Sequence, residues 1–335
     1  MTAAATATHR TFELHGVVVG VHAGEAAVID AMELRLRDFR GDAASDPAVR
    51  LEFLTDRALD RAPLPGPARP VYDTPHGTLH YFPETDILHG RLGAVELHCE
   101  AGRGLAQFRS PAYVGRDLYL ATHPLATISL MELLERRGLF ALHAACLAAG
   151  AAAGPPAGHG DGVLLAGASG AGKSTLALAL AHAGMRFLSD DLVFLYGDPA
   201  SDGVTALGFA DTVGLTEYAA AHFAEFRAVS GEAPALGFPK RLHRIEDLLG
   251  TPALGACKPR ALVFPTVSPG KRSTIDPLDP GDALLRLVPD VLLTDPEATH
   301  AHLGAIAALL KQVRCYTLVS GNDLERAAAL VRALV

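Results

Sequence analysis

The chain has 335 residues, 49% of them hydrophobic and 20% charged, which is enough for one large domain or two smaller ones with cores of their own and argues against overall disorder. Its formal net charge of -8 runs against a general nucleic-acid binder, which needs a basic face, so no nucleic-acid partner is expected. The four cysteines, Cys99, Cys146, Cys257 and Cys315, lack C-x-x-C spacing and read as reduced core thiols, not as a disulfide frame or a zinc site.

The first ten residues, Met-Thr-Ala-Ala-Ala-Thr-Ala-Thr-His-Arg, lack the basic start and apolar core of a secretory signal, and a cytoplasmic location is expected. Residues 11 to about 120 carry short runs: Phe-Glu-Leu-His-Gly-Val-Val-Val-Gly-Val, Val-Arg-Leu-Glu-Phe-Leu and Val-Glu-Leu-His-Cys-Glu. Several alternate apolar and polar residues as half-buried strands do, so this part is expected to be mostly β. The proline-rich segment Arg61 to Pro75 reads as a loop whose X-Pro steps favour extended backbone. From Leu125 to Arg137 the spacing of Leu130, Met131, Leu133 and Leu134 predicts a helix ending at Gly138.

A boundary is therefore placed near 121. Residues 1–120 form a β-rich N-terminal domain, given a substrate-recognition role, and 121–335 an α/β domain, because strand, loop, helix and strand signals follow in turn. Leu139 to Ala157 is long and nearly uncharged, but His143, Gly150, Gly154, Pro155 and Pro156 interrupt the ~20 apolar residues a spanning helix needs. It reads as a buried strand and a flexible connection, with no membrane partner. The C-terminal helix is announced by Asn322-Asp323-Leu324-Glu325, a capping-box pattern.

The most informative segment is Gly167-Ala168-Ser169-Gly170-Ala171-Gly172-Lys173-Ser174-Thr175, a complete G-x-x-x-x-G-K-[ST] loop between an apolar strand (162–166) and a helical run (176–183). Glycines let successive N–H groups point into one concavity where phosphate oxygens sit, and the helix N-terminus adds partial positive charge. Lys173 is expected to reach the β- and γ-phosphates, Ser174 to ligate magnesium and Thr175 to continue the helix.

Two further features bear on chemistry. Asp190 and Asp191 lie inside the apolar run Phe187 to Leu195, where burial is costly unless a metal, proton or donor meets them. One can ligate magnesium while the other accepts the proton of an attacking hydroxyl; the alternative is a surface turn between strands. His143, in Leu-Phe-Ala-Leu-His-Ala-Ala-Cys-Leu-Ala, falls on a strand expected beside the phosphate-loop strand. Downstream, Lys240, Arg241 and Arg244, in Phe-Pro-Lys-Arg-Leu-His-Arg, are candidates for phosphate or substrate contacts, since arginine stabilises a transferring phosphoryl group with bidentate geometry.

The order Leu-His-Ala-Ala, a glycine-rich gap, the phosphate loop, then Gly-Met-Arg-Phe-Leu-Ser-Asp-Asp-Leu-Val resembles the catalytic domain of HPr kinase/phosphorylase and its relatives over about Leu139 to Leu195. That resemblance implies a P-loop kinase fold of the HPr kinase and phosphoenolpyruvate carboxykinase-like type, with ATP and Mg2+ as cofactors, acting on a serine hydroxyl. Carried over by position, Lys173 and Ser174 serve phosphate and metal, Asp190 and Asp191 supply the base, and His143 supports the acidic centre. The N-terminal portion does not look like the regulatory domain of the bacterial sugar-control enzymes. The layout is more similar to the HPr-kinase-like proteins of ribosomal-peptide pathways, including lasso-peptide precursor kinases, which makes a serine of a peptide or small protein the preferred acceptor. The resemblance also suggests a homo-oligomer. Two other readings stand beside this one: a small-molecule kinase, and a non-catalytic nucleotide-dependent switch.

Overall fold

In a computed structural model the protein is a mixed α/β chain with several sheets. The structure describes residues 8–42, 45–56, 66–149, 160–198, 203–209, 212–217, 223 and 241–335. It divides into two compact units, Met1–Leu139 with Leu292–His302, and Phe140–Val291 with Leu303–Val335.

Unit 1 contains β1 (Thr8–Leu14), β2 (Val17–Ala23), β3 (Val49–Thr55), β4 (Arg69–Thr74), β5 (Gly77–Phe82), β6 (Ile87–Leu92), β7 (Val95–Glu100) and β8 (Leu105–Ser110). They form one eight-stranded sheet in the order β1-β2-β3-β8-β7-β6-β5-β4. The first apolar run is a hairpin instead of one strand: His15 (φ 52) and Gly16 (φ 86) both take the left-handed conformation that a tight two-residue turn requires. The parallel pairing of β2 with β3 needs a crossover, supplied by the helix Ala26–Leu36. Val28, Ile29, Met32 and Leu36 form its buried stripe, a helical spacing the reading by short runs passed over.

Two other expectations change. β4 occupies Arg69–Thr74 inside the segment read as a loop. It tolerates Pro70 because a proline lacking an N–H is accommodated at a sheet edge; residues 57–65 lie outside the described residues. β7 is buried on both faces at Val95–Cys99, not half-buried. Along β3 the alternation holds, with Val49, Leu51 and Phe53 in the core, and the intervening positions create a polar register row. It runs His9, His22, Glu52, Gln107, His98, His89, His80 across six of the strand pairings.

Unit 1 continues past the boundary expected near 121. Arg35 donates to the Thr122 carbonyl at 2.6 Å and to the Thr127 hydroxyl, so the segment after 120 is fastened to the helix Ala26–Leu36. The helix Ala126–Glu135 follows a π-helical turn, Ala121–Leu125, that carries Pro124. It closes as expected at Gly138 (φ 78), with Leu139 N–H donating to Leu134 O at 3.1 Å, a 6→1 bond of the kind that ends helices at glycine.

Unit 2 contains β9 (Phe140–Leu142), β10 (Ala144–Ala148), β11 (Asp161–Ala166), β12 (Arg186–Ser189), β13 (Val193–Asp198), β14 (Gly203–Gly208), β15 (Thr212–Leu215), β16 (Arg241–Arg244), β17 (Ala256–Val267), β18 (Thr274–Pro277) and β19 (Arg314–Ser320). The main sheet runs β12-β10-β11-β17-β14-β13-β9, with β19 against β17. The 12-residue β17 joins its halves: Ala256 and Cys257 pair with β14, and the later residues pair in parallel with β11 and β19. Strands β15 and β16 form a separate antiparallel pair.

The core packs on both sheet faces, with Leu164, Leu262 and Ile306 in one cluster and Leu165, Val263 and Leu176 in the other. All four cysteines are free and buried. Cys146 and Cys257 bring their sulfurs to 3.3 Å, and that contact followed by burial pushes the Cys146 thiol up.

At the final helix, Leu324–Arg332, the expected capping box is absent: Asp323 makes no side-chain cap. Its carboxylate instead accepts from the Ser273 hydroxyl at 2.5 Å and the Ser273 N–H at 3.0 Å, which lowers its pKa. A long-range donor has taken the acceptor that local capping would have used.

Candidate active site

The phosphate loop leaves β11 at Ala166 and ends where the helix Lys173–His182 begins. Gly167, Gly170 and Gly172 take φ of 141, 85 and 93, a region that side chains with a Cβ rarely enter. A Cβ on Gly172 would also stand 2.8 Å from Val267 Cγ2, so a side chain here would strain the backbone and have to displace Val267. Lys173 is 7% exposed, and its Nζ donates to the carbonyls of Gly167 at 2.5 Å and Ala168 at 3.5 Å.

Register explains how distant residues meet the loop. Ala144 on β10 lies opposite Ala166 on β11, which puts His143, one residue before β10, at the sheet end where the loop starts. β12 pairs with β10, and β13 with β9. The chain therefore passes between the two halves of the sheet twice at adjacent places, at His143 and at Asp190–Leu192. His143 is thus the single residue between two strands, not a position within one.

The aspartates combine both readings of their segment. They occupy a turn between β12 and β13, yet Asp190 is 4% exposed while the Asp191 side chain is 75% exposed. Asp190 Oδ2 accepts from the Ser174 hydroxyl at 2.9 Å and from the Gly214 N–H at 3.1 Å. Both donors meet the same carboxylate oxygen. Asp191 Oδ1 stands 3.0 Å from His143 Nε2. One aspartate is thus bonded to the phosphate loop and the other to the histidine.

Gly214 carried no signal in the sequence. It enters because β15 lies beside Asp190, and the partner strand β16 carries two of the three basic candidates. Arg241 lies opposite Leu215 and Arg244 opposite Thr212, flanking the Gly214–Leu242 pair. Arg241 is exposed. Arg244 is paired with Glu246 and, at 3.9 Å, with Asp247, so part of its charge is already balanced. Between them His243 is buried, and burial, then Arg241, lowers its pKa. Lys240 lies outside the described residues.

The donors present suit magnesium held mainly through phosphate oxygens. Among the described residues no group of three or more His, Cys, Asp or Glu side chains can hold a metal ion. Magnesium commonly takes one or two protein ligands with substrate phosphates and waters completing its shell, and Ser174 with Asp190 fits that pattern.

No family model matches the chain, and no curated protein matches it. Among solved structures, the Hpr(Ser) kinase/phosphatase from Coxiella burnetii is similar over 58% of this chain and 87% of its own, at 13% identity and a TM-score of 0.31. No helix among the described residues is long and apolar enough to cross a membrane.

Proposed function

We propose that the chain is an ATP- and Mg2+-dependent phosphotransferase that moves the γ-phosphoryl group to a hydroxyl, with a serine of a peptide or small protein as acceptor. The observation that carries this reading is the divided aspartate pair: Asp190 bonded to Ser174 of the phosphate loop, Asp191 exposed and 3.0 Å from His143. A switch protein needs the first contact. The second has no use in nucleotide binding, and it supplies what an acceptor hydroxyl requires.

In this reading the loop N–H groups and Lys173 hold the β- and γ-phosphates. Ser174 and Asp190 would hold magnesium, which would supply charge neutralisation to the phosphates. Asp191 takes the acceptor's proton as its oxygen forms the new O–P bond and the bond from phosphorus to the β–γ bridging oxygen breaks, releasing ADP. His143 orients the Asp191 carboxylate. Arg241, and Arg244 to the extent that its acidic partners release it, stabilises charge on the transferring group.

Mass spectrometry of peptides incubated with the protein, magnesium and ATP tests this directly. A phosphoryl group on serine with wild type, and none with Lys173→Ala or the Asp190→Ala/Asp191→Ala variant, is the expected result. ADP release that depends on added metabolites and leaves peptides unlabelled would instead make the protein a small-molecule kinase. Nucleotide binding without turnover would make it a switch.

A further inference from the structure

Asp190 turns its carboxylate into the interior and Asp191 into solvent, and two features just before Asp190 fix that division. The first lies in the β10–β12 ladder: Cys146 faces Ser189 and Leu147 faces Phe187, so Leu188 is an extra residue on β12. Such a bulge bends the strand and re-aims the side chains that follow. The second is Ser189 itself. It is 2% exposed, and its hydroxyl donates to the Leu192 carbonyl at 2.6 Å, tying together the two ends of the segment that holds Asp190 and Asp191. Serine commonly stabilises turns by bonding nearby backbone, but here the bond spans only the two acidic residues.

We infer that Ser189 is a positioning residue for the aspartate pair, its buried hydroxyl closing the turn so that Asp190 meets Ser174 and Asp191 meets His143. This rests on the phosphotransferase reading for its kinetic consequence but not for its structural one. Without the hydroxyl the Leu192 carbonyl loses a donor where water has little access, and the turn has less to fix it. Displacements of about 1 Å at a reacting group cost on the order of 10²-fold in rate. Lys173 and the loop N–H groups do not depend on this turn, so magnesium-free nucleotide binding is spared, whereas any magnesium contribution through Asp190 is weakened with it.

The test compares Ser189→Ala with Ser189→Thr, which keeps a hydroxyl. The readouts are kcat in peptide phosphorylation, ATP affinity without magnesium, and amide exchange at Gly214, whose N–H is held by Asp190. Expected for Ser189→Ala is a kcat lowered about 10- to 100-fold with magnesium-free ATP affinity unchanged. Exchange at Gly214 should accelerate while the helix Lys173–His182 keeps its protection, and Ser189→Thr should restore both. Wild-type kcat and wild-type Gly214 protection in Ser189→Ala would overturn the inference. So would loss of protection throughout unit 2 in both variants, since Ser189 would then be a general folding requirement. If the wild-type protein phosphorylates nothing, the functional reading fails by itself, and Gly214 exchange still decides the role of Ser189.

Discussion

Both units bury carboxylates, and Asp190 in unit 2 and Glu132 in unit 1 are handled differently. In unit 2, Asp190 accepts from a hydroxyl and a backbone N–H through one oxygen, and its neighbour Asp191 projects into solvent. In unit 1, Glu132 sits among groups that satisfy one another. Thr294 donates to it at 2.9 Å, and Arg136 stands 3.0 Å from it and 2.8 Å from Asp86. Burial outweighs Arg136 and Thr294 there and raises the Glu132 pKa to about 7. A buried acid therefore does not mark a site by itself. What distinguishes Asp190 is an adjacent exposed acid and a donor that belongs to a glycine loop. Histidine density does not mark a site either: unit 1 has five histidines in one register row, yet the paired histidine beside the loop is the isolated His143.

Substitutions sharpen that contrast, in descending order of expected effect. Asp190→Ala should lower phosphoryl transfer by at least about 10²-fold, the loss typical of one preorganised electrostatic contact; Glu132→Gln should leave the transfer rate near wild type. Assaying both variants under identical conditions would break the comparison if the losses were equal.

The second effect is on stability. The folded protein holds Glu132's proton up to about pH 7, against an ordinary value of 4.5. A carboxyl raised on folding favours the folded state most below pH 4.5, and that advantage is lost as pH rises to about 7. Relative to Glu132→Gln, the wild-type protein should lose on the order of 3 kcal/mol across this window, as read from urea denaturation at pH 4.5 and pH 8. A flat difference would mean that Arg136 keeps Glu132 ionised throughout. Thr294→Val, which removes the hydroxyl donor, should cost about 1–3 kcal/mol in the same assay. The smallest change is expected from Asp191→Asn, whose exposed side chain should move stability by less than about 1 kcal/mol, although it removes the proposed base.

How much was legible follows the same division. The glycine loop, its flanking strand and helix, and the Asp-Asp pair are local features, each readable within about ten residues. The contacts that give them meaning are not. Gly214 reaches Asp190 through a strand pairing, and His143 reaches Asp191 because two sheet crossings coincide. The β2–β3 crossover helix had readable spacing at Val28, Ile29, Met32 and Leu36 but was obscured by the β-like runs on either side. In unit 1 the boundary escaped because its fastening is long-range: Thr294 lies far along the chain from Glu132, and no local pattern links them. The capping box at Asn322–Glu325 misled for a similar reason, since the Asn322 and Asp323 side chains both accept from distant donors, Gly270 N–H and the Ser273 hydroxyl.

Paired assays of MgATP binding and serine phosphorylation on Asp190→Asn and Asp191→Asn decide whether the two aspartates divide the work. Asp191→Asn should bind MgATP like wild type and transfer about 10²-fold more slowly, whereas Asp190→Asn should lose the magnesium dependence of nucleotide binding. Wild-type transfer by Asp191→Asn, or unaltered magnesium dependence in Asp190→Asn, would contradict that division.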